Sequence, residues 1–312
     1  MNPSGAALVE HTRRAIGPVG VFLPFPTAQA PTAQDQIAAV RRWEVAGHRA
    51  IWVNEVPGKD ALVQAAVLLA ATRHVVVGTG IANIWTRSAS TVRGAAALLA
   101  QAYPGRFVLG LGVGYPAQAA AAGQSFGRPL ATMRGYLEQI DAPAMAPTPD
   151  ITYPRLVAAN GPKMVTLAGE MADGALPAMV PPDFTAHARR LLGPGKLLIV
   201  LVDAGPGPDH DAALTTQICG QLSAGADHVV AVLPIGSDFA AGVDRFERLT
   251  PDLLHLADRR PRPGDAPAPP GHGPARGTGP PFAGFVGSAR GLEAVDDQGA
   301  LEVPDGRIVW VR

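Results

Sequence analysis

The feature that most constrains this chain is an eightfold alternation of two kinds of segment. Short apolar runs rich in β-branched residues recur at 19–23, 50–54, 75–82, 107–113, 155–159, 174–178, 197–202 and 229–233. Ala-rich stretches with helical spacing follow them at 34–46, 60–71, 90–103, 130–140, 163–171, 183–192, 212–224 and 239–249. Continuous apolar runs that alternate with helices belong to a parallel sheet buried on both faces, with the helices as crossovers. Alternation alone does not separate a closed barrel from an open doubly wound sheet, but eight units before residue 260 favour closure. The sequence therefore predicts an α/β fold, a (β/α)8 TIM barrel.

Composition narrows the partners. With 47% apolar residues in 312, the chain can bury a large core. Its 26 basic and 26 acidic residues cancel, so no long-range field favours nucleic acid or an anionic membrane, and a small-molecule substrate is expected. Cys219 is the only cysteine, which rules out an internal disulfide and a cysteine zinc cage and fits the cytoplasm. No apolar run reaches bilayer-spanning length, and the N-terminus has no apolar signal-like core. Ala-rich helices on a barrel often pair, so a homodimer is one arrangement open to the chain.

Three regions follow: a flexible N-terminal segment at 1–16, the barrel at 17–258, and a Pro/Gly-rich linker and tail at 259–312. The composition of 259–282 offers too little apolar surface to offset ordering entropy and predicts disorder. Residues 301–303 and 308–311 regain enough pattern for a short hairpin.

In a barrel of this kind, chemistry sits where strands end and βα loops begin. The second run ends in Asn54-Glu55, an amide and a carboxylate at the mouth. If partly desolvated, Glu55 would exchange a proton; a solvated Glu at a loop start is the plainer alternative. The third run carries Gly78 and Gly80 before Ile81-Ala82-Asn83, where glycines either admit a planar ring or relieve crowding. In the fourth, Gly110, Gly112 and Gly114 share one face, which leaves that face without side chains. The fifth gives Ala159-Asn160-Gly161-Pro162-Lys163, in which Pro162 suits a first helical position. Free N–H groups and Lys163 at that helix start would suit a phosphate, against the alternative of an ordinary turn.

Other signals carry less. The glycine spacing of the fourth run mimics a dinucleotide fingerprint but stands at the wrong βα unit. Gly123-Gln124-Ser125-Phe126-Gly127 has the nucleophile-elbow pattern without the strand that elbow needs. Gly193-Pro194-Gly195-Lys196 lacks phosphate-loop spacing, and the eight histidines show no metal-binding spacing. His48, His74 and His228 read as packing or surface residues.

Together, Trp52-Val53-Asn54-Glu55, Thr79 through Trp85, Pro104 through Gly112 and Ala159 through Met164 resemble the luciferase-like monooxygenase family, in its branch of F420-dependent oxidoreductases. Ala172-Asp173-Gly174-Ala175 and Ala224 through Val229 are similar to later family segments, so the likeness runs in order from about Gly17 to Leu233. The resemblance implies hydride transfer between the deazaflavin coenzyme F420 and a small organic substrate. It implies a bulge at the end of the third strand, often with a cis non-proline peptide, here at Gly80 and Ile81. By the same likeness Val113 and Gly114 would line the ring, with Asn83 nearby. Ala159, Asn160, Gly161, Pro162 and Lys163 would hold the phosphate, and Asn54 and Glu55 would lie nearest the reacting carbon. Some members carry Asp-His at that pair, which leaves the proton donor open, with Glu55 as the first candidate and Asn54 beside it as the catalytic pair. Family members also carry a helical excursion after the seventh strand, which is shortened here to a Gly/Pro loop. Two other functions stay open at this point: an FMN-dependent monooxygenase, and a degenerate cofactor-binding barrel without turnover.

Overall fold

The computed structural model describes residues 5–143 and 149–258. The expected hairpin near the C-terminus, like all of 259–312, lies outside the described residues.

The strands are β1 (Val19–Phe22), β2 (Ala50–Val53), β3 (Val76–Thr79), β4 (Ala82–Asn83), β5 (Phe107–Gly112), β6 (Arg155–Val157), β7 (Gly174–Ala175), β8 (Leu197–Asp203) and β9 (His228–Val232). All their pairings are parallel, in the order β3-β2-β1-β9-β8-β7-β6-β5-β4, and a further β3–β5 pairing closes the ring. β3 and β4 are two pieces of one barrel strand, so the closed barrel has eight strand positions. The helices are α1 (Gly5–Ile16), α2 (Ala33–Ala46), α3 (Ala61–Ala71), α4 (Ala89–Ala102), α5 (Pro116–Ala121), α6 (Pro129–Asp141), α7 (Pro162–Met171), α8 (Pro182–Leu192), α9 (Asp211–Ser223) and α10 (Phe239–Asp258).

Alternation along each strand sorts side chains into two cores. Val21, Ile51, Val77 and Leu109 face the helix layer, while Phe22, Trp52, Val76 and Val108 fill the barrel interior. The interior is packed solid: a Cβ on Gly78 would stand 2.5 Å from the Trp52 indole, and one on Gly20 would stand 2.6 Å from His228. These glycines make room for neighbouring rings. Trp52 Nε1 donates to His228 Nε2 at 3.1 Å, which leaves Nδ1 to donate to the Gly17 carbonyl at 2.7 Å.

The structure corrects the reading of residues 1–16 as flexible. Residues 5–16 form α1, whose Val9, Thr12 and Ile16 are buried. Val9 and Ile16 join the interior core beside the strand starts, so α1 closes the N-terminal end of the barrel. Arg13 ties it down through Asp227 at 2.8 Å.

Two further differences have local causes. The run at 174–178 is regular only over Gly174–Ala175, because Pro177 has no N–H for the ladder; Ala178 regains a lone bridge to Leu201. The last helix passes its expected end at 249 and takes Pro251 into its body, with Leu253 buried beyond it. Burial there outweighs the hydrogen bond that Pro251 lacks.

Candidate active site

The third barrel strand breaks between Thr79 and Ala82, and the peptide Gly80–Ile81 is cis. This is the bulge that the family resemblance implied. A break in a ladder leaves backbone groups that need other partners. The Thr79 hydroxyl supplies two, donating to the Gly110 carbonyl and accepting from the Gly110 N–H, both at 2.8 Å. On the other side Gly80 N–H donates to Val53 O at 2.7 Å, and Glu55 N–H donates to Ile81 O at 3.0 Å.

The glycines of β5 are explained by the same bulge. A Cβ on Gly110 would lie 2.0 Å from the Thr79 carbonyl, and one on Gly112 would lie 2.8 Å from Ile81. The face expected to be bare is therefore filled at Gly110 and Gly112 by the bulge itself. Gly114, with φ +55, lies past the strand, where a Cβ would strike the Gln118 amide at 2.0 Å and stand 2.9 Å from Asn83 Nδ2.

Glu55 is buried and held by several partners. Its side chain is 2% exposed and paired with Arg87 at 2.5 Å. Its oxygens also accept from Asn83 N–H at 2.7 Å and the Thr86 hydroxyl at 3.1 Å. A carboxylate so engaged braces the peptide after the bulge. Burial alone would pull Arg87 down, but its bonds to Glu55 and Asp60 hold its pKa above the ordinary arginine value. Asn54 turns its Oδ1 to the Lys59 ammonium at 2.7 Å.

Further round the mouth, Val113 is half-buried, and its carbonyl accepts from Trp85 Nε1 at 2.6 Å. Ala159 is 1% exposed and belongs to the helix-facing core, so only its backbone faces the site. Asn160 bridges the tips of β6 and β7: Nδ2 donates to Ala178 O at 3.1 Å, and Oδ1 accepts from Ala178 N–H at 2.8 Å. Its side chain is thus occupied by this bridge, which leaves its backbone for the expected phosphate contact. Gly161 caps α7 with open space where a Cβ would be, Pro162 takes the first turn, and Lys163 is exposed.

The predicted residues do come together. β2, the β3/β4 bulge, β5 and β6 are neighbours in the ring, and their tips carry Asn54, Gly80, Ile81, Gly114 and Gly161 on one end of the barrel. Gly80, Ile81, Val113, Gly114 and Ala158 are all partly exposed amid buried neighbours. That is a shelf of backbone and small side chains, and it fits a flat ring. Two clefts of about 430 and 420 Å³ open at the other end beside α1. Barrel chemistry belongs to the C-terminal face, so neither cleft enters the site.

Sequence reasoning missed four groups here. Lys59 follows a Pro-Gly turn directly after β2, a position that could have flagged it. Arg87 and Thr79 act through partners distant in sequence. Met179 is exposed with φ +56 beside the Asn160 bridge, an uncommon conformation for a side-chain-bearing residue. Burial pulls Lys59 down to about 8, with the Glu55 charge opposing the shift.

A family model for the luciferase-like monooxygenase matches residues 18–193, more than half of the chain. The chain belongs to the luciferase-like monooxygenase family. It is 30% identical over 174 residues to a 5,10-methylenetetrahydromethanopterin reductase of Methanolobus tindarius, covering 49% of this chain and 53% of that protein. The chain thus spans about half the length of the curated relatives it matches. An F420-dependent secondary alcohol dehydrogenase, solved with an F420-acetone adduct, superposes with TM-score 0.61 at 17% identity, over 76% of this chain and 99% of that one. The oxygenating constituent of 3,6-diketocamphane monooxygenase from Pseudomonas putida, solved with FMN, superposes with TM-score 0.59 at 11% identity, over 80% and 100%. Likeness at these identities speaks for the fold.

Proposed function

We propose that this family member is an F420-dependent oxidoreductase that transfers a hydride between the deazaflavin and a small organic substrate. The observation that carries the reading is the braced bulge between Thr79 and Ala82, set among half-exposed residues on neighbouring strand tips. When bound, a deazaflavin supplies a ring carbon that gives or takes a hydride. Gly80 and Ile81 would support that ring from below, with Val113, Gly114 and Ala158 along its edge and Asn83 fixing the loop. The N-terminus of α7, from Gly161 through Lys163, would hold the phosphate with backbone N–H groups and the lysine charge. Glu55 acts as a positioning residue through Asn83 and Arg87, and Asn54 orients Lys59.

An FMN-dependent monooxygenase is the second reading, suggested by a neighbour of the same fold solved with FMN. Titrating the purified protein with coenzyme F420 and, separately, with FMN, followed by cofactor fluorescence, tests both. Saturable F420 binding with much weaker FMN binding is the expected result; no F420 binding at all sinks the reading. Oxygen uptake with reduced FMN would transfer support to the second.

A further inference from the structure

With Glu55 engaged on all sides, the mouth needs another group to handle the proton that travels with a hydride. Lys59 stands where such a group belongs. The turn Val56 to Lys59, closed by Lys59 N–H to Val56 O at 2.9 Å, folds its side chain back over the tips of β1 and β2. The ammonium donates to Asn54 Oδ1 at 2.7 Å and lies 5.2 Å from the centre of the Phe25 ring. Asn54 itself is the residue before Glu55, whose N–H bonds the Ile81 carbonyl of the bulge. The ammonium is thus held between the tips of β1 and β2 by a neutral acceptor, with no carboxylate bonded to it among the described residues.

We propose that Lys59 is the proton donor of this site, delivering a proton to the oxygen of a carbonyl substrate as the carbonyl carbon receives a hydride. The inference rests on the oxidoreductase reading above. In the reducing direction the hydride brings two electrons from the reduced deazaflavin to the carbonyl carbon, and the carbon–oxygen π bond breaks. An N–H bond of Lys59 breaks as the O–H bond of the alcohol forms. The neutral amine regains its proton from water, so the carbonyl is reduced, the deazaflavin is oxidised and atoms balance. The reverse reaction uses the amine as base on an alcohol.

The physical case is the surroundings of the side chain. A lysine in water is too weak an acid to serve near neutrality; a partly buried one against an aromatic ring gives up its proton more readily. The other charged groups of this network are Glu55 and Asp60 from the same loop and Arg87 after β4. Arg87 pairs with both carboxylates, which blunts their pull on Lys59. Asp203, at the tip of β8, holds its own loop through Gly205 N–H at 2.9 Å.

The chain has three lysines, Lys59, Lys163 and Lys196, so their acid–base behaviour can be read site by site by competitive acetylation and mass spectrometry. Without cofactor, Lys59 should become reactive at distinctly lower pH than exposed Lys163; a Lys59 that titrates together with Lys163 overturns the proposal. Saturating coenzyme F420, with binding checked by fluorescence, should protect Lys59 and leave Lys196 unchanged. Unprotected Lys59 in an F420-bound protein also overturns it, whereas failure of F420 to bind strikes at the oxidoreductase reading first.

Turnover of propanal and cyclohexanone with reduced F420 supplies a third readout, in which Lys59→Arg separates acid from charge. If Lys59 is the acid, Lys59→Arg and Lys59→Met should both lose about 100-fold or more in kcat while F420 affinity stays within a few-fold. An arginine variant with wild-type turnover would show that the positive charge alone matters. Should neither probe be a substrate, the acetylation and protection results decide.

Discussion

The two ends of the barrel use polar side chains in the same way and differ in what covers them. At the N-terminal end, Glu44 accepts from the N–H groups of Arg73, His74 and Val75, and Asp227 accepts from Leu198 N–H while pairing with Arg13 and Arg189. At the C-terminal end, Glu55, Thr79 and Asn160 do the same for Asn83, Gly110 and Ala178. In both places charged or polar residues satisfy backbone groups that the sheet leaves over. Among the described residues, the lower end is covered by α1, which drops Val9 and Ile16 into the interior. At the upper end the described residues leave the bulge, two glycines and a lysine at least partly exposed, and the proposed cofactor site is placed there. A conspicuous carboxylate at a mouth is thus weak evidence of catalysis until its partners are counted.

The comparison predicts different failures at the two ends, and the largest should come from Glu55. Glu55→Ala strips a buried partner from Arg87 and a backbone acceptor from Asn83, at an expected cost of about 4 kcal/mol in stability. Urea denaturation followed by circular dichroism measures it, and the folded fraction should also lose F420 binding. A variant as stable as the parent would show that Glu55 braces nothing.

At the lower end, Ile16→Ala empties a fully buried position under the barrel and should cost about 3 kcal/mol. The contrast lies in the second measurement: F420 affinity per folded molecule should not change. If affinity falls along with stability, the two ends are coupled and the division drawn here fails.

A smaller effect, confined to acid, should come from His48. It is buried beside Phe246 and bonds the Thr250 hydroxyl at 2.7 Å, and burial pulls its pKa down to about 4. The folded state then binds fewer protons than the unfolded one between that value and the ordinary histidine pKa. Stability must rise with pH across this window and fall as the pH drops through it. The loss between pH 7 and pH 5 should be about 2 kcal/mol. His48→Gln should flatten that part of the pH–stability curve, and an unchanged slope would assign the acid loss elsewhere.

The barrel was legible because burial on both faces writes itself into each strand: runs such as Val75-Val76-Val77 and Leu197 through Val202 have no polar interruption. The tips were legible as positions, and Gly80, Gly114 and Gly161 do stand on neighbouring ones. What fills the space beside a glycine was not, since the absence of a side chain on Gly110 says nothing about the Thr79 carbonyl that occupies its place. The partners of Glu55 were hidden for a related reason. Its chief partner, Arg87, is 32 residues away, and only the bulge brings the two together. The first helix was missed because its buried stripe is thin, Val9, Thr12 and Ile16 in a dozen residues, and its stability comes from the barrel beneath it.

The finest test of the difference between the ends concerns Lys163, which is exposed on the first turn of α7 beside the open Gly161. An exposed cation makes little difference to the fold, so Lys163→Ala should leave the denaturation curve in place. Toward a phosphate it adds its charge to the positive end of the helix dipole, and its loss should weaken F420 binding by about 1 kcal/mol, roughly fivefold. Added salt should narrow the gap between parent and variant, because screening removes the same contribution from the parent. Equal affinities at low salt would mean that the phosphate lies away from α7, and the anion-binding role would have to move to another strand tip.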